Sequence, residues 1–390
     1  MQQLPQVQGD AEPGYGPVAD AFGQNFAEGS ETGAAFCLHV DGRVVVDLWG
    51  GVADPASGRP YGPDTLQLVF STTKGATAIC ANLLAQRGQI DLDAPVASYW
   101  PEFAAAGKET IPVRWLLSHR AGLPALDTKL SFEQVCEVTP VVEALAAQPP
   151  LWEPGTVHGY HALTFGWLVG EVVRRVTGRS VGRFFADEVA DPLGLEFWIG
   201  LPEEEEARVA PLSMELPTRI DPELLEFAAA FLAEDALGLR ALTLDGALGL
   251  IGESMPFNTR ECHATEMPAA NGITTARSLS RLYAATVGEV DGVRLFDPAT
   301  AAHASEVQSE GPDRTLVVDT RYGCGFMLDS PMTPMLGPRS FGHAGAGGSL
   351  GFADADANLG FGYVMNRMGL NITADPRATR LVEAVRRALG

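Results

Sequence analysis

Strand-like patterns crowd the two ends of this 390-residue chain and are missing from its middle, which constrains both ends to share one sheet. Near the N-terminus, AAFCLHV (34–40) and RVVVDLWGGV (43–52) are joined by Asp41-Gly42, a strong hairpin signal. From about residue 321, YGCGFML, SFGHAG, GGSLGFADAD and LGFGYVMNRM follow one another as short, glycine-punctuated segments, as in an antiparallel meander. Helical patterns flank both sets. Val18, Phe22 and Phe26 recur every four residues within 14–28, and Leu381, Val382, Val385 and Leu389 share one face of 376–389. Between them, 66–260 reads mainly as helix and loop, including a stripe of Phe165, Leu168, Val169, Val172, Val173 and Val176 closed by Gly178. The stretch 200–262 has no clean period, apart from a helix expected near 222–233. The predicted class is mixed α+β. An antiparallel sheet flanked by helices is built from 1–65 and 270–390, with a mainly helical subdomain, 66–269, inserted beside it.

The length suits two packed subdomains rather than one core. A net charge of −22 argues against nucleic acid or an anionic membrane as a partner, and no run of 18 apolar residues suggests a membrane span. The opening MQQLPQVQGDAEPGYG has neither a basic start nor an apolar core, so no secretory signal is expected there. Five cysteines are scattered without C-x-x-C pairing, which reads as reduced thiols in a cytoplasmic protein. No cofactor and no metal are expected. There is no dinucleotide or phosphate loop, His158 and His161 have no third ligand nearby, and the Glu203–Glu206 run reads as solvated. Self-association is left open.

One motif carries chemistry. Ser71-Thr72-Thr73-Lys74 is an S-x-x-K match in a chain with 16 serines and only three lysines against 24 arginines. Chance would supply about 0.1 such matches. Arginine cannot surrender its proton in a protein, whereas a desolvated lysine becomes a base. Serine and lysine at i and i+3 share one helix face, and Ala76, Ile79, Cys80, Leu83 and Leu84 supply the helical period, with Gly88 as its cap. Ser71 would then sit at the first turn, where free N–H groups favour developing negative charge. The bland alternative, an N-cap followed by a solvated lysine, sets a cation against the helix dipole.

Other residues extend the motif. Tyr160 lies in a glycine-rich approach to the valine-striped helix; a phenol beside a lysine cation can have its pKa depressed and act as a base, although alone Tyr160 also reads as a core residue. The run from His343 to Gly348 could let a ligand approach backbone N–H groups, or could be a hairpin that needs glycine. Gly347-Gly348-Ser349-Leu350-Gly351 matches the G-x-S-x-G elbow, but strand follows it and no histidine lies downstream, so Ser349 is a poor nucleophile candidate. His119, in SHRAGLP, reads as a structural histidine.

Together, FSTTKG (70–75), LLSHRAGLP (116–124), the Tyr160 segment, MPAANG (267–272), GHAGAGG and GYVMNRM resemble the serine hydrolases of the penicillin-recognising fold. The likeness is strongest to the carboxylesterases related to class C β-lactamases, called family VIII. The resemblance covers most of the chain and implies a site in the cleft between sheet and helical subdomain. It implies Ser71 as the acylated nucleophile, Lys74 as the motif lysine, Tyr160 as the tyrosine of Y-x-N, and His343-Ala344-Gly345 in the place of the lysine-threonine-glycine strand. The oxyanion hole would be the N–H groups of Ser71 and Ala346. Two departures stand out. Y-x-N reads Tyr160-His161-Ala162, and His343 replaces the strand lysine. Both weaken the grip on β-lactams or peptides and cost a neutral ester little. The expectation is a serine carboxylesterase acting on small esters, with Lys74 and Tyr160 shuttling the proton and the identity of the base open. A β-lactamase, a D-amino-acid peptidase or an acyltransferase is the alternative; a binding protein with a degenerate site would not need Ser71, Lys74 and Tyr160 together.

Overall fold

The computed structural model describes residues 7–214, 233, 236–249, 256–371 and 373–390. The strands that matter are β1 (Gln8–Ala11), β2 (Gly33–Val40), β3 (Arg43–Asp54), β4 (Ser309–Pro312), β5 (Asp319–Tyr322), β6 (Met327–Leu328), β7 (Ser340–Ala344), β8 (Leu350–Asp354) and β9 (Leu359–Met365). They form one antiparallel sheet in the order β1-β3-β2-β9-β8-β7-β6-β5-β4, with Arg59–Pro60 paired off β3. The central pairing joins the two ends of the chain: β9 lies against β2 with Phe361 opposite Leu38 and Tyr363 opposite Phe36.

Alternation along β2 shows why the sheet needs cover on both faces. Phe36 and Leu38 enter one core with Val18, Phe22, Leu381 and Val385, supplied by α1 (Gly16–Ala27) and α5 (Pro376–Leu389). Ala35 and Cys37 point the other way, into a core shared with Leu279, Leu282 and the helical region, including Leu168 and Val172 of α3 (Thr164–Thr177). There α4 (Ala276–Val287) lies flush on β9. A Cβ at Gly360 would fall 2.2 Å from the Ser280 carbonyl oxygen, and one at Gly362 would fall 2.4 Å from that of Ala276. Side chains at those two positions would push the helix off the sheet.

The mixed, antiparallel class expected from the sequence is the observed one, and the hairpin at Asp41-Gly42 and the helix at 376–389 fall where the patterns put them. In the main sheet both edge strands are missed, as are the two-residue strands Gln67–Leu68, Phe197–Trp198 and Ile273–Thr274, which pair as a small sheet of their own. β1 (QGDA) and β4 (SEGP) are polar, and β4 ends in proline, as edge strands tolerate and central strands do not. The helix expected near 222–233 lies outside the described residues, apart from Ala233.

Candidate active site

A single 3₁₀ turn, Phe70–Thr72, delivers Ser71 to the mouth of α2 (Thr73–Gln86), so Ser71 stands just before the α-helix rather than within its first turn. Phe70 adopts φ +44°, a left-handed conformation costly for a bulky residue. The surroundings hold it there: the Thr73 hydroxyl donates to the Phe70 carbonyl (2.5 Å), and the Phe70 ring meets Phe257 edge-on at 4.9 Å. The MPAANG segment forms the adjoining wall. Gly272 N–H donates to Thr73 Oγ1 (2.8 Å) and Val69 N–H to the Gly272 carbonyl (2.9 Å).

Lys74 follows in the first turn of α2 and is wholly buried. Its Nζ lies 3.1 Å from Ser71 Oγ, 2.6 Å from the Ala162 carbonyl oxygen and 3.0 Å from that of Ala269. Among the described residues no carboxylate pairs with it, and burial alone drives its pKa well below the ordinary 10.5. A neutral amine has two N–H donors and one lone pair. As an ammonium, Lys74 donates its third N–H to Ser71 Oγ; as a neutral amine it gives its two donors to the carbonyls and turns its lone pair to the Ser71 O–H. Lys108 is an internal contrast. It is also buried, but its Nζ meets three carbonyls, those of Ala105, Ala146 and Gln148, and no hydroxyl from which it could take a proton. Lysine scarcity alone would not separate these two; their acceptors do.

Tyr160 is brought to Ser71 by a loop rather than by regular structure. Its N–H donates to the buried Asp313 carboxylate (2.9 and 3.1 Å), which also accepts from the N–H groups of Thr315 and Leu316 and from Thr320 Oγ1. Its ring stacks on Tyr322 and lies 4.9 Å from the His119 ring, and the Lys74 Nζ sits 4.8 Å from its centroid. The nearby Ser71 side chain pulls its phenol pKa down, but burial outweighs that and pushes the pKa up. That direction is opposite to the depressed phenol expected from the sequence. The physical reason is that the phenol is wholly desolvated and faces the negative charge of Asp313, both of which disfavour a phenolate.

His119 and His161 support this loop. His161 Nε2 accepts from Leu123 N–H (3.0 Å), so its Nδ1 carries the proton and donates to the Gly159 carbonyl (2.7 Å); His161 N–H donates to His119 Nδ1 (3.1 Å). Burial lowers the His161 pKa to about 3 and that of His119 well below its ordinary value, so both rings are neutral braces.

The glycine-rich hairpin closes the site from the sheet side. His343, on β7, donates from Nδ1 to the Ala344 carbonyl (2.7 Å), and its buried Nε2 has no partner among the described residues. Burial lowers its pKa to about 3, so no cation stands at this position. Gly345 packs on the nucleophile turn so closely that a Cβ there would fall 2.2 Å from the Val69 carbonyl oxygen. Only glycine fits, and the next residue is Ala346. The N–H groups of Ser71 and Ala346 donate to no acceptor among the described residues. Ser349 is buried and donates to the Val69 carbonyl (2.9 Å), in a strand context. A separate groove of about 790 Å³, bordered by Trp100, Val142, Trp167 and Val181, includes none of Ser71, Lys74 and Tyr160.

Sequence reasoning missed Asp313. It is 153 residues from Tyr160, and its signal is only local: a carboxylate two residues before Thr315, as in an Asx-turn.

The beta-lactamase family profile matches residues 18–386, and the chain belongs to that family. It is 36% identical over 370 residues to the esterase/beta-lactamase LipL of Mycobacterium tuberculosis, covering 93% of this chain and 83% of that one. A family VIII carboxylesterase of known structure superimposes with a TM-score of 0.87 at 39% identity, covering 98% of this chain and all of the other. EstA of Arthrobacter nitroguajacolicus Rue61a gives 0.86 at 34% identity, covering 98% of each chain.

Proposed function

We propose that this chain is a serine carboxylesterase that works through an acyl-enzyme on Ser71, with Lys74 as the base. Serine ester hydrolysis on the β-lactamase scaffold agrees with both the relatives and the site. The observation that carries the assignment of the base is the placement of Lys74 Nζ between two carbonyls and one serine hydroxyl, with no counter-ion among the described residues.

The steps follow from these contacts. The Lys74 lone pair takes the Ser71 proton as Oγ bonds to the ester carbonyl carbon. The resulting ammonium keeps both carbonyl partners, and the carbonyl oxygen becomes an oxyanion facing the Ser71 and Ala346 N–H groups. Collapse breaks the bond to the alkoxide, which receives the proton from Lys74. The neutral Tyr160 hydroxyl, whose pKa the Ser71 side chain influences, would relay it. Water then attacks the acyl carbon as its proton passes to Lys74, and collapse breaks the bond to Ser71 Oγ, which recovers the proton from Lys74 as the acid leaves.

Substrate choice follows from what the site lacks. With a neutral His343 and Ala162 in place of an amide, neutral small esters are favoured over β-lactams and acyl-D-amino acids. The name of the Mycobacterium relative keeps a β-lactamase side activity in view. His343→Lys should raise kcat/KM for a carboxylate-bearing cephalosporin by about tenfold and lower it for p-nitrophenyl butyrate, because a fixed cation binds anions and depresses Lys74 further. Steady-state kinetics on both substrates check this; unchanged selectivity would place His343 outside the substrate cleft. All five cysteines are free, four of them buried, which suits a reducing, cytoplasmic setting, and no helix among the described residues is long and apolar enough to cross a membrane.

A further inference from the structure

Ser349 belongs to the one motif that the mechanism leaves unused, yet its hydroxyl occupies a strategic position. It donates to the Val69 carbonyl (2.9 Å) and lies 3.0 Å from Thr72 Oγ1. Val69 and Thr72 bracket Ser71 and the left-handed Phe70, and Thr72 N–H closes the same turn on the Val69 carbonyl (3.2 Å). On its own strand, the Ser349 carbonyl accepts from Gly345 N–H (2.8 Å), and Gly348 N–H donates to the Gly345 carbonyl (3.1 Å), which fixes the turn that presents Ala346. A Cβ added at Gly345 would meet Ser349 Oγ at 2.2 Å, Val69 O at 2.2 Å and Thr72 Oγ1 at 2.9 Å, so these groups form one close-packed junction.

The two N–H groups assigned to the oxyanion hole therefore sit on two different segments, the nucleophile turn and the β7–β8 turn. Ser349 is hydrogen-bonded to both. We propose that Ser349 is a positioning residue for the esterase reaction: its hydroxyl pins the Val69–Thr72 turn to the Gly345–Gly348 turn and so sets the spacing of the Ser71 and Ala346 N–H donors. It touches no reacting atom. The inference rests on the nucleophile and oxyanion assignments above.

Loss of the clasp removes alignment rather than substrate contact, so it acts on kcat. Misplacing an oxyanion donor by a fraction of an ångström costs about 10- to 100-fold in rate. Ser349→Ala should lower kcat for p-nitrophenyl butyrate by about that factor, with KM changed less than about threefold. A fluorophosphonate should still label Ser71, at a rate lowered in proportion. Thr72→Val leaves the Ser349 bond to Val69 in place, so its effect should be smaller, and the double variant should match Ser349→Ala alone within about twofold, because both act through one junction. A folded Ser349→Ala protein with kcat within twofold of the parent would overturn the clasp, as would multiplicative losses in the double variant. If Ser349→Ala does not fold, a Thr72→Val protein that loses KM rather than kcat would overturn it equally. A label found on Ser349 in the parent protein would instead overturn the nucleophile assignment itself.

Discussion

Ser71→Ala lowers kcat for p-nitrophenyl butyrate by about 10⁴-fold or more and abolishes covalent capture by a fluorophosphonate. The expectation has the size seen when a serine nucleophile is removed from a preorganised site, where binding and oxyanion donors alone retain little rate. The variant should fold, since the half-buried Ser71 side chain is small and its 3₁₀ turn is held by Thr73, Phe257 and Gly272. Peptide mass spectrometry on the labelled parent protein should find the adduct on Ser71. Full activity in the alanine variant would remove the proposed function, whatever the fold.

Lys74→Arg should be nearly as damaging as Lys74→Ala, each costing about 10²–10⁴ in kcat/KM. Arginine preserves the charge and offers more donors, but it has no lone pair to give Ser71. Its planar fork also does not fit a pocket that presents the Ala162 and Ala269 carbonyls to a compact amine. A lysine that merely supplied positive charge would let arginine keep more than about a tenth of the activity. Kinetics of the two variants, with circular dichroism to confirm folding, separate these roles.

How much of this was legible beforehand depends on the range of each interaction. S-x-x-K was readable because both partners lie within one helical turn, and the sheet was readable because short apolar runs bounded by turn residues mark strands such as β2 and β9 even when both faces are buried. Distant, loop-borne partners were not. Ala162 and Ala269 act through backbone carbonyls, which no side-chain pattern reports, and they lie 88 and 195 residues from Lys74. Asp313 positions Tyr160 through its main-chain N–H, equally silent in sequence. The direction of the Tyr160 shift was misjudged for a related reason. Proximity to lysine was visible, but the dryness of the site, which raises the phenol pKa and lowers that of the lysine, emerges only when the surrounding elements are assembled.

The pH dependence of kcat/KM for a neutral ester, corrected for uncatalysed hydrolysis, bears most directly on Lys74 as a neutral base. A protonated amine cannot accept the Ser71 proton, so the rate falls tenfold per pH unit below the Lys74 pKa and is flat above it. Because burial depresses that pKa, the plateau should be reached well below pH 10.5. A rate that keeps climbing through pH 10.5 would contradict the account: it would point to a lysine of ordinary basicity or to a Tyr160 phenolate, whose pKa burial raises.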